Sequence, residues 1–444
     1  MTIDWNAAGA EAVSRLQQML RFDTTNPPGN ELPLAQHLAS QLAQEGLEAQ
    51  ILQSAPERAN LVVRLRGDGS QRPLMLISHL DVVPAEPARW THPPFAGELA
   101  EGLVWGRGAV DSKLTTTTQL QVLLLCKRLG LPLKRDLVLV ATADEELGSN
   151  YGVKWLAQHH PEIFDAEYGI NEGGGFALLV DGRPLYTCQV GEKGSAYLDL
   201  VIHGRPGHSS VPHADNPLLH LSAVLDRLRG RLPHRVTASA RAFFEGAAAA
   251  QARPEVAALL RALLDPARQE AALAQLPVDE PTRLMFDAML RNTCTPTMLE
   301  AGTKRNVIPS EATVKLSGRT LPGMEREAFL AEVRALVGEG PEFRLDNYWA
   351  GGEFASDTPL LKAIQSAMQR CEPESAVVPY MVTGGTDARF LMDLGLTIYG
   401  FLPMRHEPGM DFFSLCHGHD ERVSITNVAF AVQVLYEVVR QLNE

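Results

Sequence analysis

RPLMLISHLD (residues 72–81) and DLVLVATADE (residues 136–145) are two apolar stretches, and TTTTQLQVLLLCKRLG (residues 115–130) lies between them. The outer two read as buried strands, because short continuous apolar runs are typical of a sheet that is covered on both faces. The middle stretch reads as a helix. Strands that alternate with a helix predict an α/β layer with a largely parallel sheet.

The alternation of predicted strands and helices continues on both sides of these stretches and stops near residue 194. GSAYLDLVIHG (residues 194–204) alternates apolar and polar residues, like a strand with one solvated face. After YWAGGEFAS (residues 348–356), a helical pattern and strands near VVPYMVT and LTIYGF resume the α/β texture. We therefore predict a catalytic domain in two parts, residues 1–193 and 351–444, and an inserted α+β domain over residues 194–350.

Composition and charge narrow the class of protein. The 444 residues carry a net charge of −13 and contain no basic run, which argues against nucleic-acid or anionic-membrane partners. The five cysteines never occur in CxxC spacing, which suits free thiols in a reducing compartment. No stretch approaches the roughly 18 apolar residues of a membrane span, and no signal-peptide pattern opens the chain. We expect a cytoplasmic protein.

Polar side chains follow the predicted strands at their ends, the edge where open α/β sheets bind ligands. Each has an ordinary explanation when taken singly, because Asp often caps a helix and adjacent carboxylates often occupy solvated turns. Together they supply two histidines and several carboxylates, which is the usual ligand set of a zinc ion. The candidates are His79, Asp81, Asp111, Glu145, Glu146, Glu172 and His417.

Blocks along the chain resemble, in the same order, the motifs of the di-zinc metallopeptidase family of aminoacylase, glutamate carboxypeptidase, acetylornithine deacetylase and succinyl-diaminopimelate desuccinylase. The resemblance implies a zinc-exopeptidase-like, three-layer α/β catalytic domain with a mostly parallel mixed sheet. It also implies an inserted α+β, ferredoxin-like lid and dimerisation domain. The blocks are SHLDVVP (78–84), GRGAVDSK (106–113), ADEELGS (143–149), NEGGG (171–175) and CHGHDERV (416–423).

The resemblance also implies a role for each candidate in the catalytic domain. Two Zn²⁺ ions are expected, for which Co²⁺ or Mn²⁺ could substitute, and Asp111 is expected to bridge them. Asp81 is expected to orient the first histidine, and Glu145 to act as the general base. The peptide bond between Asp111 and Ser112 is expected to be cis. The implied metal ligands are His79, Asp111, Glu146, Glu172 and His417.

Four further blocks resemble the substrate-contacting motifs of the family: GRPGHSSVP (204–212), KRNVIPSEA (304–312), GRTLPG (318–323) and VTGGTDARF (382–390). They imply that His208 stabilises the oxyanion and that it reaches the active site of a partner subunit in a homodimer. Asn306, Arg319, Gly384 and Gly385 are implied to bind the carboxylate of the substrate.

These inferences predict a zinc-dependent amidohydrolase that acts on an N-acyl amino acid or a short peptide. Within that reaction, a dipeptidase or a carboxypeptidase remains an alternative to a deacylase. A non-catalytic amino-acid or peptide-binding protein on the same scaffold is the rival from another class. A nucleotide-dependent oxidoreductase is disfavoured, because no G-x-G-x-x-G follows an early strand.

Overall fold

The computed structural model describes residues 3–410 and 412–444. Its strands begin with a hairpin and continue through the regions that the apolar patterns predict. They are β1 Ala49–Ala55, β2 Arg58–Leu65, β3 Leu74–His79, β4 Glu98–Ala100, β5 Leu103–Trp105, β6 Leu137–Thr142, β7 Tyr168–Asn171, β8 Ala177–Val180, β9 Arg183–Glu192, β10 Gly194–His203, β11 Gly207–His208, β12 Thr293–Ala301, β13 Val307–Ile308, β14 Glu311–Thr320, β15 Glu342–Trp349, β16 Gly352–Glu353, β17 Ala376–Val382, β18 Thr397–Gly400 and β19 Arg422–Ser424.

The helices begin and end at residues whose chemistry accounts for their limits. Gly130, with φ +60°, ends the long helix α3, and the Ser424 hydroxyl accepts the N–H of Asn427 to open α13. Within the described residues, no helix is both long and apolar enough to cross a membrane. The helices are α1 Trp5–Leu20, α2 Leu32–Gln44, α3 Lys113–Leu129, α4 Val153–His159, α5 Pro217–Arg227, α6 Ala238–Ala249, α7 Pro254–Ala262, α8 Gln269–Gln275, α9 Glu280–Ala288, α10 Arg326–Val337, α11 Pro359–Cys371, α12 Phe412–Leu415 and α13 Ile425–Leu442.

The chain divides into two compact units. Unit 1 comprises residues 1–190, 354–380 and 386–444, and unit 2 comprises residues 191–353 and 381–385. The limits at 190/191 and 353/354 lie three residues from the predicted boundaries at 193/194 and 350/351, whereas residues 381–385 of unit 2 lie inside the predicted catalytic part. The assignment of the inserted region as a lid and dimerisation domain stays a prediction.

Unit 1 is built on a mixed sheet in the order β1-β2-β6-β3-β7-β18-β9, in which β8 and β17 also pair with β9. The central strands β6, β3, β7 and β18 pair in parallel, and the flanking pairs β1–β2, β2–β6 and β18–β9 are antiparallel. One face packs against α4 and the short helical turns near residues 163 and 388, and α3 packs against β3 and β6. The mixed α/β fold is confirmed.

Unit 2 contains an antiparallel sheet in the order β12-β14-β10-β15. In chain order these strands alternate with helices as β10, α5, β12, β14, α10, β15, which is the ferredoxin-like arrangement that the resemblance implies. Its core joins one face of the sheet to α5 and α10. Helices α6–α9 follow α5 as an additional helical segment. A small pair of strands, β11 and β13, carries the His208 motif.

Candidate active site

The candidate ligands of unit 1 lie where the fold concentrates polar groups. His79 is the last residue of β3, Glu145 and Glu146 follow β6, and Glu172 follows β7 directly. These three strands are parallel neighbours, so their carboxyl ends meet at one edge of the sheet. The structure therefore brings together residues that lie almost 100 positions apart in the sequence.

Asp111 lies between two histidines. Its Oδ1 is 3.2 Å from Nε2 of His79, and its Oδ2 is 3.2 Å from Nε2 of His417. The peptide bond from Asp111 to Ser112 is cis, as the resemblance implies. The Asp111 carboxylate thus places one oxygen next to each histidine, which is the geometry that a ligand bridging two metal ions requires.

A glutamate carboxylate also lies next to each of the two histidines. Glu172 Oε2 lies 3.2 Å from Nε2 of His79, and Glu146 Oε2 lies 3.1 Å from Nε2 of His417. Two ligand atoms on one tetrahedral zinc ion, each at about 2.0–2.1 Å from the metal, are roughly 3.3 Å apart. The spacing of the donor atoms fits two adjacent metal ions that share Asp111.

The electrostatics of the cluster also fit a cation. Burial and the nearby Asp111 carboxylate raise the pKa of Glu146 to about 7, and its Oε1 is buried without a hydrogen-bond partner among the described residues. Hydrogen bonds to Asp111 and Glu146 raise the pKa of His417 to about 10. Burial and the neighbouring carboxylate disfavour the ionised form of Glu146, and a bound cation would favour it.

Glu145 lies beside these groups. One potential metal-ligand atom from each of Glu145, His79 and Glu172 lies within 4.8 Å of the other two. Burial, followed by the charge of Glu172, holds the pKa of Glu145 well above its ordinary value. Proximity to His79 allows Glu145 to serve as a base or as a ligand, so its role as the base stays a prediction.

Asp81 is fully buried and contacts both His79 and the turn that carries Glu145 and Glu146. Its Oδ1 is 3.4 Å from Nδ1 of His79, the ring nitrogen that faces away from Asp111. The same carboxylate accepts the backbone N–H groups of Glu145 at 3.1 Å and of Glu146 at 3.2 Å. The backbone carbonyl of Asp81 lies 3.0 Å from the same ring nitrogen of His79. Asp81 therefore contacts both the candidate ligand His79 and the turn of the candidate base, whereas the resemblance implies a contact to the histidine alone.

Glu421 is a site residue that the sequence reasoning missed. Its buried carboxylate accepts the backbone N–H groups of Val110 at 2.7 Å and of Asp111 at 2.9 Å, and it pairs with Arg107 at 2.7 Å. Arg107 also donates to the carbonyl of Gly418, which follows His417. The Arg107–Glu421 pair holds the loop of Asp111, the proposed bridging carboxylate, and the loop of His417. The position of Glu421 in the HGHDERV motif was the sequence signal that could have identified it.

Unit 2 holds His208 and Asn306 side by side. His208 pairs with Val307 across β11 and β13, and the N–H of Ser209 donates to the carbonyl of Asn306 at 3.2 Å. The backbone N–H of Ser210 donates to Nδ1 of His208, and the Ser210 hydroxyl lies 2.7 Å from the same nitrogen. Because Nδ1 accepts, a neutral ring carries its proton on Nε2 and presents an N–H donor.

The remaining predicted substrate contacts also lie in unit 2. Arg319 is half-buried on β14, where it is paired with Ser195 of β10 and Thr293 of β12. Gly384 and Gly385 follow β17, and a Cβ atom added at Gly384 would meet nothing within 4 Å. That these residues and Asn306 converge on one substrate carboxylate stays a prediction.

Comparisons with known proteins agree with this geometry. The model of Peptidase family M20/M25/M40 matches residues 75–441. Aminoacylase-1 of Sus scrofa is 25% identical over 422 residues, which cover 93% of this chain and 90% of that protein. Probable carboxypeptidase S-like 2 of Dictyostelium discoideum is 27% identical over 394 residues, which cover 86% of this chain and 74% of that protein.

A solved structure shows the same fold. The M20 family metallo-carboxypeptidase Sso-CP2 from Sulfolobus solfataricus has a TM-score of 0.71 and 20% sequence identity, with 97% of this chain and 98% of that chain covered. The family model spans most of the chain, and the family resemblance drawn from the sequence is confirmed. The chain belongs to peptidase family M20/M25/M40 and is a metal-dependent hydrolase of that family.

Proposed function

We propose that the protein is a co-catalytic di-metal hydrolase that cleaves the amide bond of an N-acyl amino acid, or of a short peptide, with a free carboxylate. The observation that carries the proposal is Asp111, whose two oxygens each lie 3.2 Å from a histidine that also faces a glutamate. The names of two relatives, an aminoacylase and a probable carboxypeptidase, support an amide substrate.

Two groups of residues would hold the metals. His79, Asp111 and Glu172 form one group, and Asp111, Glu146 and His417 form the other. Imidazole and carboxylate ligands favour Zn²⁺, and Co²⁺ or Mn²⁺ suits the same donors. When bound, two such ions supply Lewis acidity to the amide carbonyl and lower the pKa of a water molecule.

The protein's own residues then handle the protons and the charge. Glu145 takes a proton from the attacking water and returns it to the nitrogen of the leaving amine. His208 donates its Nε2–H to the oxyanion as negative charge develops there. Arg319, Asn306 and the Gly384–Gly385 turn bind the substrate carboxylate, for which a guanidinium offers paired hydrogen bonds.

We further propose that the active enzyme is a cytoplasmic homodimer and that His208 serves the active site of the partner subunit. His208 is exposed, and its only described side-chain partner lies two residues away in its own loop. A histidine held in this way is available to a second chain. The substrate is a small molecule, and the acidic net charge of −13 argues against a nucleic-acid partner.

A substrate panel on metal-loaded protein tests the function. The panel contains N-acetyl amino acids, free dipeptides and N-blocked dipeptides, each as the free acid and as the carboxamide. We expect hydrolysis of free acids only, with activity lost in a chelator and restored by Zn²⁺, Co²⁺ or Mn²⁺. Arg319→Met should lower kcat/KM for the free acids by about 10–100-fold, whereas Arg326→Met, at an exposed position on α10, should not.

The panel also separates the alternatives. Preference for N-acetyl amino acids, free dipeptides or N-blocked dipeptides identifies a deacylase, a dipeptidase or a carboxypeptidase, respectively. Equal rates for acids and carboxamides would contradict the carboxylate site. Binding of a free acid without any hydrolysis would favour the non-catalytic binding protein instead.

A further inference from the structure

The turn-rich segment TTNPPGNE (residues 24–31) has no part in the chemistry described so far, yet it supplies buried polar groups to the active site. Asn26 in this segment is 2% exposed, and its side chain ends in an amide. It donates to Asp81 Oδ2 at 2.8 Å and to Asp144 Oδ1 at 2.9 Å. One amide therefore separates two buried carboxylates and satisfies an oxygen of each.

Both carboxylates act on the turn that carries the candidate base. Asp81 accepts the backbone N–H groups of Glu145 and Glu146, at 3.1 and 3.2 Å. Asp144 immediately precedes Glu145, adopts a left-handed conformation with φ +67°, and accepts the N–H of Tyr151 at 3.1 Å. A non-glycine residue keeps such a conformation only where its surroundings hold it.

A second arm of the network reaches Asp144 from β2. Arg58 donates to Asp144 Oδ1 at 3.0 Å and pairs with Glu31 through two hydrogen bonds of 2.7 and 2.9 Å. The side chains of Arg58 and Glu31 are 7% and 0% exposed. Arg58 thus compensates the charge of Asp144. Among the described residues, only Asn26 donates to Asp81 and Asp144 together. The amide is the link between the two.

We propose that Asn26 is a positioning residue for the general base, acting through Asp81 and Asp144 to hold the backbone of Glu145 in its working orientation. This assignment rests on the proposed function. Without the amide, two buried carboxylates face each other with one donor fewer each, and the turn relaxes to separate them. A shift of about 1 Å in a catalytic group costs up to about 100-fold in rate.

The direct test is Asn26→Ala in the metal-loaded enzyme. We expect kcat to fall by about 10–100-fold, with KM within about twofold. In excess metal the bound metal should be unchanged, because His79 keeps its contacts to Asp111 and Glu172, and Glu146 keeps its contact to His417. Asn30→Ala is the matched control, since Asn30 is an exposed amide of the same segment that donates only to a backbone carbonyl, at 3.5 Å. The control should retain wild-type kcat.

A double variant separates positioning from a general structural role. In a Glu145→Gln background, Asn26→Ala should cause no further loss of the residual turnover, because two residues that act as one unit are not additive. An additional loss of the same size as in the wild type would overturn the proposal. Loss of bound metal in Asn26→Ala would also overturn it, because the residue would then act on the ligands.

If Asn26→Ala does not fold, Asn26→Ser replaces it, because the hydroxyl keeps one donor, and its kcat should fall below the wild-type value by up to about 10-fold. Wild-type kcat in whichever of the two variants folds overturns the assignment of Asn26 while leaving the proposed function intact. Absence of hydrolysis by the wild-type enzyme overturns the proposed function and this assignment with it.

Discussion

The candidate catalytic residues of unit 1 and of unit 2 differ in how the protein holds them. In unit 1, His79 and Asp81 are at most 1% exposed, and Asp81 alone accepts hydrogen bonds from two backbone N–H groups and one amide. In unit 2, His208 is exposed, and the contacts to its ring come from Ser210 in the same loop. His79 and Asp81 are fixed by burial, and His208 is left accessible. His417 of unit 1 is also exposed, but Asp111 and Glu146 lie within 3.2 Å of its ring.

The difference follows from what each set must bind. Metal ligands and a base have to converge on points a few tenths of an ångström wide, so they need partners that fix them before the substrate arrives. A group that contacts the substrate has to remain reachable until binding occurs. We therefore expect changes in unit 1 to reduce catalysis, metal binding or stability, and changes in unit 2 to reduce activity while the fold is preserved.

The largest effect is expected at Glu145. Glu145→Gln removes the proton acceptor while keeping the size of the side chain, so kcat should fall by roughly 10⁴-fold. The metal content, measured by elemental analysis, should not change, because the five proposed ligands remain. Glu162→Gln, at an exposed position of the same unit, is the control. Loss of metal in Glu145→Gln would instead identify Glu145 as a ligand.

A mixing experiment compares the two units directly. Glu145→Gln subunits are combined with His208→Ala subunits under conditions of verified exchange. If His208 serves the partner's site, a mixed dimer keeps one intact site, formed by Glu145 of one chain and His208 of the other. Random pairing then restores roughly a quarter of the wild-type sites. If exchange occurs and no activity returns, His208 does not act across the dimer.

The next effect is on stability, in the Arg107–Glu421 pair. Glu421→Gln leaves a buried guanidinium without its carboxylate and turns an amide toward the N–H groups of Gly108, Val110 and Asp111. We expect the free energy of unfolding to fall by about 3 kcal/mol, measured by denaturant titration. Metal affinity should fall by roughly 10–100-fold, because the loops of Asp111 and His417 lose their common support.

Glu86→Gln is the control for Glu421→Gln, because Glu86 pairs with Arg89 where both side chains are about two-thirds exposed. Exposed pairs of this kind contribute at most about 1 kcal/mol to stability. An equal effect of the two substitutions would mean that Glu421 is not a structural support of the site.

The sequence identifies the candidate metal ligands more readily than the residues that support them. Each proposed ligand stands in a short motif, and His79, Glu146 and Glu172 lie at or just after the end of a strand. The identity of each ligand is therefore a local property that can be found in the sequence. Glu421 acts on backbone N–H groups about 310 positions away, and no pattern within its own motif specifies those partners. Asn26 is similar, since its partners Asp81 and Asp144 come together only when the sheet forms.

The fold shows the same difference between features that a local pattern specifies and features that depend on distant partners. The apolar runs at residues 72–81 and 136–145 contain β3 and β6, as predicted. The antiparallel pairing of β2 with β6 was not predictable, since direction depends on the connection and not on the buried pattern. The hairpin of β8 and β9 was also missed, because glycines precede it and obscure the strand pattern.

The smallest effect is expected at Ser210, where the fixing of His208 can be weakened without removing it. Ser210→Ala deletes the hydroxyl 2.7 Å from Nδ1 but keeps the backbone N–H that donates to the same nitrogen. One neutral hydrogen bond is worth about 1 kcal/mol, so kcat/KM should fall by roughly fivefold. Stability should not change, because the residue is exposed, and Ser209→Ala next to it should leave kcat/KM unaltered. A loss as large as that of His208→Ala would show that the hydroxyl alone fixes the ring, and unit 2 would then depend on pre-positioned partners as unit 1 does.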